Sequence, residues 1–153
     1  KYIPSSWDNR HIFSLTATRK LGLWDVGMKW RYTNGAPFTP YDRETSSLIV
    51  AWDAKKQPYL DYSRFNSERA SSFHQLDIRV DRSFYFKKWS LILYADIQNI
   101  YNHKTKSPDL LVPEEDANGS YRVDPDRPGH YLMRYIKNDT GTLLPSVGII
   151  VDF

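Results

Sequence analysis

The side chains that could do chemistry are few and scattered. Four histidines, His11, His74, His103 and His130, hold most of the ligating and proton-transfer capacity of the chain. None falls in H-E-x-x-H or in a paired zinc spacing. His11 and His74 lie near the ends of alternating segments, where a hydrogen-bonded structural histidine is the simpler reading. A Ser–His–Asp hydrolase needs a serine set apart by its neighbours, and no G-x-S-x-G occurs. Cysteine is absent, which removes disulfides and thiolate chemistry. The stretch PEEDANGSYRVDPD concentrates carboxylates around Asn118-Gly119. Hard cations take such oxygens, but the regular D-x-D-x-D-G register is missing and a solvated turn accounts for it. N-G-S at 118–120 and N-D-T at 138–140 match glycosylation acceptors, a pattern that arises often by chance. No Gly-rich phosphate loop is present. These residues therefore point to a non-catalytic protein with no metal and no cofactor. What remains is aromatic: Tyr41, Trp52, Tyr59, Tyr62 and Tyr121 sit between the alternating segments, placed either to contact a ligand or to pack loops.

The elements that would position them are strands. In WDVGMKWRY, Trp24, Val26, Met28, Trp30 and Tyr32 alternate with Asp25, Gly27, Lys29 and Arg31. A helix would scatter those apolar side chains, whereas a strand puts them on one face. Phe13, Leu15 and Ala17 alternate in the same way upstream. So do Leu76, Ile78 and Val80, then Trp89, Leu91, Leu93, Ala95 and Ile97, and finally Val147, Ile149, Val151 and Phe153. The pattern predicts five strands of roughly nine to twelve residues, longer than the five or six usual in soluble proteins. A strand tilted across a bilayer needs about 9–11.

The connections alternate too. KLGL and YFKK are tight, while the other two, from Thr33 to about Ser72 and from about Ile100 to Leu143, run about forty residues each, far beyond ordinary loops. Short turns on one side and long loops on the other are the arrangement of an outer-membrane barrel. The apolar faces carry no Lys or Arg at their centres, whereas the opposite faces carry Asp25, Lys29, Arg31, Asp77, Arg79, Asp81, Asp96 and Asp152. A hairpin that sets Tyr32 beside His74 puts Lys29 opposite Asp77, where the two charges would satisfy each other. Aromatics gather at the strand ends: Trp24, Phe84, Phe86, Trp89 and Phe153 at one, Trp30, Tyr32, Phe73 and Tyr101 at the other. The competing reading is a soluble β-sandwich with one wet face per sheet, which explains the alternation equally well.

Composition bounds the rest. The chain has 153 residues, 41% hydrophobic and 15% aromatic, with eleven Tyr and five Trp, a length that suits one domain. Mean hydropathy is −0.60, and no apolar run approaches the ~20 residues of a spanning helix. Strands escape that test because half their residues face the lumen. The net charge of +3 is mixed along the chain, so nucleic acid is not implied as a partner. KYIPSSWDNR has no apolar signal core, so either the protein is not exported by that route or Lys1 is not the true N-terminus.

Several stretches carry a family resemblance: SSWDNRHIFSL with its D-x-R-H from Asp8 to His11, WRYTNGAPFTPYD with its G-x-P-x-T from Gly35 to Thr39, the N-x-x-R from Asn66 to Arg69, FHQLDIRVDRSFYFKKWSLILYADIQNIYN, and the closing LPSVGIIVDF. Together they resemble the C-terminal part of TonB-dependent outer-membrane receptors, especially those of Bacteroidetes-like bacteria. The resemblance runs through essentially the whole chain. It implies a bacterial outer-membrane location, a twenty-two-stranded barrel holding an N-terminal plug, and import of a scarce nutrient (siderophore, haem, cobalamin or glycan) driven by the TonB complex acting on that plug. The partners it implies are outer-membrane lipid, the rest of the barrel, the plug, and the barrel assembly machinery. That machinery would read Val147, Ile149, Val151 and Phe153 as a C-terminal signal. Five strands cannot close, and no plug is present, so the expectation is an all-β, antiparallel transmembrane β-barrel segment over residues 1–153, part of a larger barrel. A complete eight-stranded barrel is the alternative; it would draw further strands from TSSLIVAW (45–52) and HYLMRYI (130–136). Those segments serve equally as extensions of hairpins, which is the preferred reading. A small membrane hydrolase is the remaining alternative.

Overall fold

The computed structural model describes residues 2–153. Along the chain come β1 (Ile12–Leu21), β2 (Trp24–Thr33), β3 (Pro37–Phe38), α1 (Arg43–Ser47), α2 (Ile49–Lys55), a 3-10 turn over Tyr62–Arg64, β4 (Glu68–Arg69) and β5 (Phe73–Tyr85). Then follow β6 (Ser90–Gln98), β7 (Thr105–Pro113), β8 (Val123–Asp124), β9 (Arg127–Tyr131), β10 (Met133–Thr140) and β11 (Leu144–Asp152). The fold is all-β and antiparallel, and among the described residues no helix is long and apolar enough to cross a membrane.

Chain contacts divide into two units. One, made of residues 9–34, 72–105 and 139–153, is a five-stranded sheet ordered β1-β2-β5-β6-β11. All five predicted strands are there, each beside its neighbour in sequence order. Gly22, with φ of +65°, is the first of two residues joining β1 to β2, the position that a type II′ hairpin assigns to glycine. At the second tight turn the Phe86 N–H donates to the Trp89 carbonyl at 2.9 Å, and the two rings stack with centroids 4.1 Å apart.

The register puts every alternating set on the same side. Across one row, Ala17, Met28, Ile78, Ile97 and Pro145 are successive partners. Across the row on the other face run Thr16, Lys29 and Asp77. One face is therefore apolar from edge to edge and the other polar. Two arginines, Arg19 and Arg82, also fall on the apolar face, both near the tight-turn ends of their strands. The Arg82 guanidinium lies over Trp24, 4.8 Å from the ring centroid, and over Phe84 at 5.4 Å. Phe73 departs from the aromatic set expected at the strand ends. It partners Thr33 and so lies on the polar face, with the Arg31 guanidinium 5.9 Å from its ring. The sheet is open: β1 and β11 each have one unpaired edge.

The long connections are not structureless. With residues 2–8, segments 35–71 and 106–138 form the second unit. Its core is Trp52, Leu111 and Met133, with Tyr41, Tyr121 and Tyr131 packed around it. TSSLIVAW is helical rather than extended, a correction to the strand pattern read there. The Asp42 carboxylate accepts the Thr45 N–H at 3.0 Å and caps α1, and Lys56 closes α2 in the left-handed region with φ of 53°. HYLMRYI does form strands, but it is split at Leu132 between β9, paired with β8, and β10, paired with β7. Neither segment adds a strand to the five-stranded sheet.

Candidate functional site

The motif residues scattered through the sequence meet in the second unit. The Arg69 guanidinium donates to the Asp8 carboxylate at 2.7 Å, to the Asp8 carbonyl at 2.8 Å and to the Gly35 carbonyl at 3.1 Å. Asn66, buried and left-handed with φ of 50°, donates its side-chain amide to the Pro4 carbonyl at 2.8 Å. Its backbone N–H donates to the Thr39 hydroxyl at 3.0 Å. A Cβ on Gly35 would stand 1.7 Å from the Ala70 carbonyl oxygen, so no other residue fits. D-x-R-H, G-x-P-x-T and N-x-x-R thus contribute to one latch that holds segment 2–8 against 35–71. His11 stands outside it, with Nδ1 3.2 Å from the Asn34 side-chain oxygen.

The five loop aromatics are not brought to one place. Trp52 is core, and Tyr121 meets it edge-on with centroids 6.3 Å apart. Tyr41 packs on the same core and also lines a cavity of about 380 Å³ with Phe38, Arg64, Glu68, Asp109 and Tyr135. Tyr59 is half-buried and donates its hydroxyl to the Ala51 carbonyl at 3.3 Å. Tyr62 is exposed and stacks on Phe65.

A serine, a histidine and a carboxylate do meet, which the local sequence gave no means of seeing. His130 Nδ1 lies 2.7 Å from the Ser47 hydroxyl, and its Nε2 lies 3.7 Å from Glu44 Oε1. Residues 83 positions apart cannot mark each other in a local pattern. Ser47 is 2% exposed, and its hydroxyl also donates to the Glu44 carbonyl at 2.8 Å. The hydroxyl is closed off from solvent, and these contacts tie α1 to β9. In the acidic stretch, one Asp116 carboxylate oxygen accepts the N–H groups of Asn118 and Ser120 at 2.8 and 2.9 Å. The Ser120 N–H bond, then that from Asn118, holds this carboxyl below the ordinary aspartate value. Among the described residues no cluster of three or more His, Cys, Asp or Glu is placed to hold a metal ion.

The polar sheet face carries linked charges. Lys29 is opposite Asp77, as expected, but the ion pair belongs to Arg31, whose Nη2 lies 3.2 Å from Asp77 Oδ2. Asp77 also accepts from the Gln75 amide at 2.6 Å and from the Asn99 N–H at 3.0 Å. Arg79 pairs with Asp81 at 2.9 Å and lies over the Tyr94 ring at 4.2 Å. Tyr94 in turn covers Gly148, where a Cβ would stand 2.3 Å from its hydroxyl. On the apolar face, at the end of the sheet away from the tight turns, His74 Nδ1 lies 2.9 Å from the Tyr101 hydroxyl, and its ring stacks on His103 at 3.6 Å. Val147, Ile149 and Val151 line the apolar face on the edge strand β11, and Phe153, one residue beyond that strand, is 97% exposed.

No protein-family model matches the chain, and neither curated proteins nor solved structures return a match.

Proposed function

We propose that this chain is part of the wall of a TonB-dependent outer-membrane receptor that imports a scarce nutrient. One observation carries the reading. The sheet has a continuous apolar face, yet Trp52, Leu111 and Met133, the buried apolar residues among those described, all belong to the other unit. A sheet in water is held by burying such a face against something. Here Val147, Ile149 and Phe13 remain 82%, 66% and 57% exposed. Lipid is a solvent that an apolar face need not escape. Strands of 9 to 13 residues have the length to cross it. Arg82 over Trp24 and Phe84 suits an interface, where a cation can reach water past aromatic rings.

In this reading the polar face looks into the lumen, towards the plug through which the TonB complex acts. The open edges of β1 and β11 pair with further strands of the same barrel, since lipid satisfies no backbone N–H or C=O. The tight turns are periplasmic, and the long connections emerge outside the cell.

Arginine substitutions test it. Ile78 and Met28 are mutual partners on the apolar face, away from the strand ends, and Thr16 faces the other way. Ile78→Arg or Met28→Arg in the full-length protein is expected to abolish membrane insertion, at a cost of roughly 2–4 kcal/mol for a midplane cation. Thr16→Arg is expected to insert normally. Leu93 is a poorer probe because Arg82 already stands opposite it. Equal tolerance at Ile78 and Thr16, measured as heat-modifiable protein in outer-membrane fractions, would mean water on both faces.

A further inference from the structure

The cavity of about 380 Å³ lies wholly within the unit built from the long connections. Its size falls in the range of small-molecule sites, about 300–1,000 Å³. Phe38 and Glu68 form one wall as direct partners of the β3–β4 pair, and Arg64 joins Glu68 in an ion pair. Asp109 of β7, Tyr135 of β10 and Tyr41 complete the lining with two prolines. Tyr135 is 51% exposed and Asp109 is also exposed, so both are open to an incoming molecule.

The lining combines three features. Three aromatic rings offer flat, C–H-accepting faces, and two prolines add apolar surface. Arg64 and Glu68, joined in one ion pair, offer donors beside acceptors, which matches a pair of neighbouring hydroxyls. One arginine against two carboxylates leaves a formal charge of −1, which repels polyanionic metal chelates and carboxylated macrocycles. A compact organic cation would meet Arg64 in the wall. The geometry points to a binding site for a neutral saccharide, whose ring faces stack on Phe38, Tyr41 and Tyr135 while its hydroxyls bond Arg64, Glu68 and Asp109. That the saccharide is imported rests on the receptor reading above, but its binding does not.

Purified full-length protein on an array of neutral and uronic-acid-containing oligosaccharides, followed by calorimetric titration of the strongest neutral binder, tests the site. Retention of neutral oligosaccharides is expected, with Tyr135→Ala and Asp109→Asn each weakening the Kd about tenfold. The near-UV circular dichroism of both variants should match that of the parent. Retention of no neutral oligosaccharide would overturn the inference, as would binding that both variants leave unchanged. Preference for uronic acids, or for choline offered in parallel, would do the same. The arginine substitutions at Ile78 and Thr16 read out the membrane separately, so a failed wall and a failed saccharide site give different results.

Discussion

Arg69 engages three oxygens at once, two of them on Asp8, 61 residues away in sequence. A guanidinium suits this work because its five N–H groups are set in a rigid plane. The latch depends equally on what is missing at Gly35. Gly35→Ala would drive a methyl group into the Ala70 carbonyl, a contact of 1.7 Å against backbone that has no rotamer to change. The expected loss is about 3 kcal/mol or more. Gly129→Ala, where a Cβ meets nothing within 4 Å, should stay within about 0.5 kcal/mol. Denaturant midpoints of the two variants compare them directly. At Asp77, a pairing of Tyr32 with His74 would set Lys29 opposite, and both pairs are present in the register. Which cation fills its oxygens was a matter of side-chain reach, and Arg31, one step along the same face, takes that place.

At the scale of elements, the strands were legible because alternation is a local property of two residues at a time. The helices were not. LIVAW is rich in residues that favour strands, and that propensity was outweighed by a cap and by burial. Asp42 accepts from the Thr45 N–H and hydroxyl, and Ser46, Ser47 and Trp52 turn inward. Asp42→Ala should cost about 1 kcal/mol. The Thr45 hydroxyl bond, then the Thr45 N–H bond, holds the Asp42 carboxyl below its ordinary value. A carboxyl lowered on folding adds stability that is present above its unfolded value, about 3.9, and is lost as pH falls through its folded value. Asp124, lowered mainly by the Asp126 N–H, acts in the same direction. Parent protein should therefore lose stability as pH drops below about 4, and Asp42→Ala should lose less of it. Midpoints measured from pH 6 down to pH 2 would show the difference, and parallel curves would remove Asp42 from this role.

At the scale of the whole molecule, the sheet presents one apolar face that reaches from β1 to β11, and exposed Phe153 follows directly on β11. Phe153→Ala in the full-length protein is expected to lower surface-exposed, folded protein several-fold and to leave the ligand affinity of the inserted fraction unchanged. Normal surface levels of that variant would contradict a role in assembly. The five strands and their two faces were legible in the sequence, because alternation is a local property, whereas the register across the long connections, β2 on β5 and β6 on β11, is seen in the structure. Tertiary structure decided the rest. Asp8 reaches Arg69, Ser47 reaches His130, and Phe38, Asp109 and Tyr135 share a cavity only because distant segments close on each other. Nothing in a local pattern encodes which segments those are, since the free energy of such closures resides in contacts between segments and not in either segment alone.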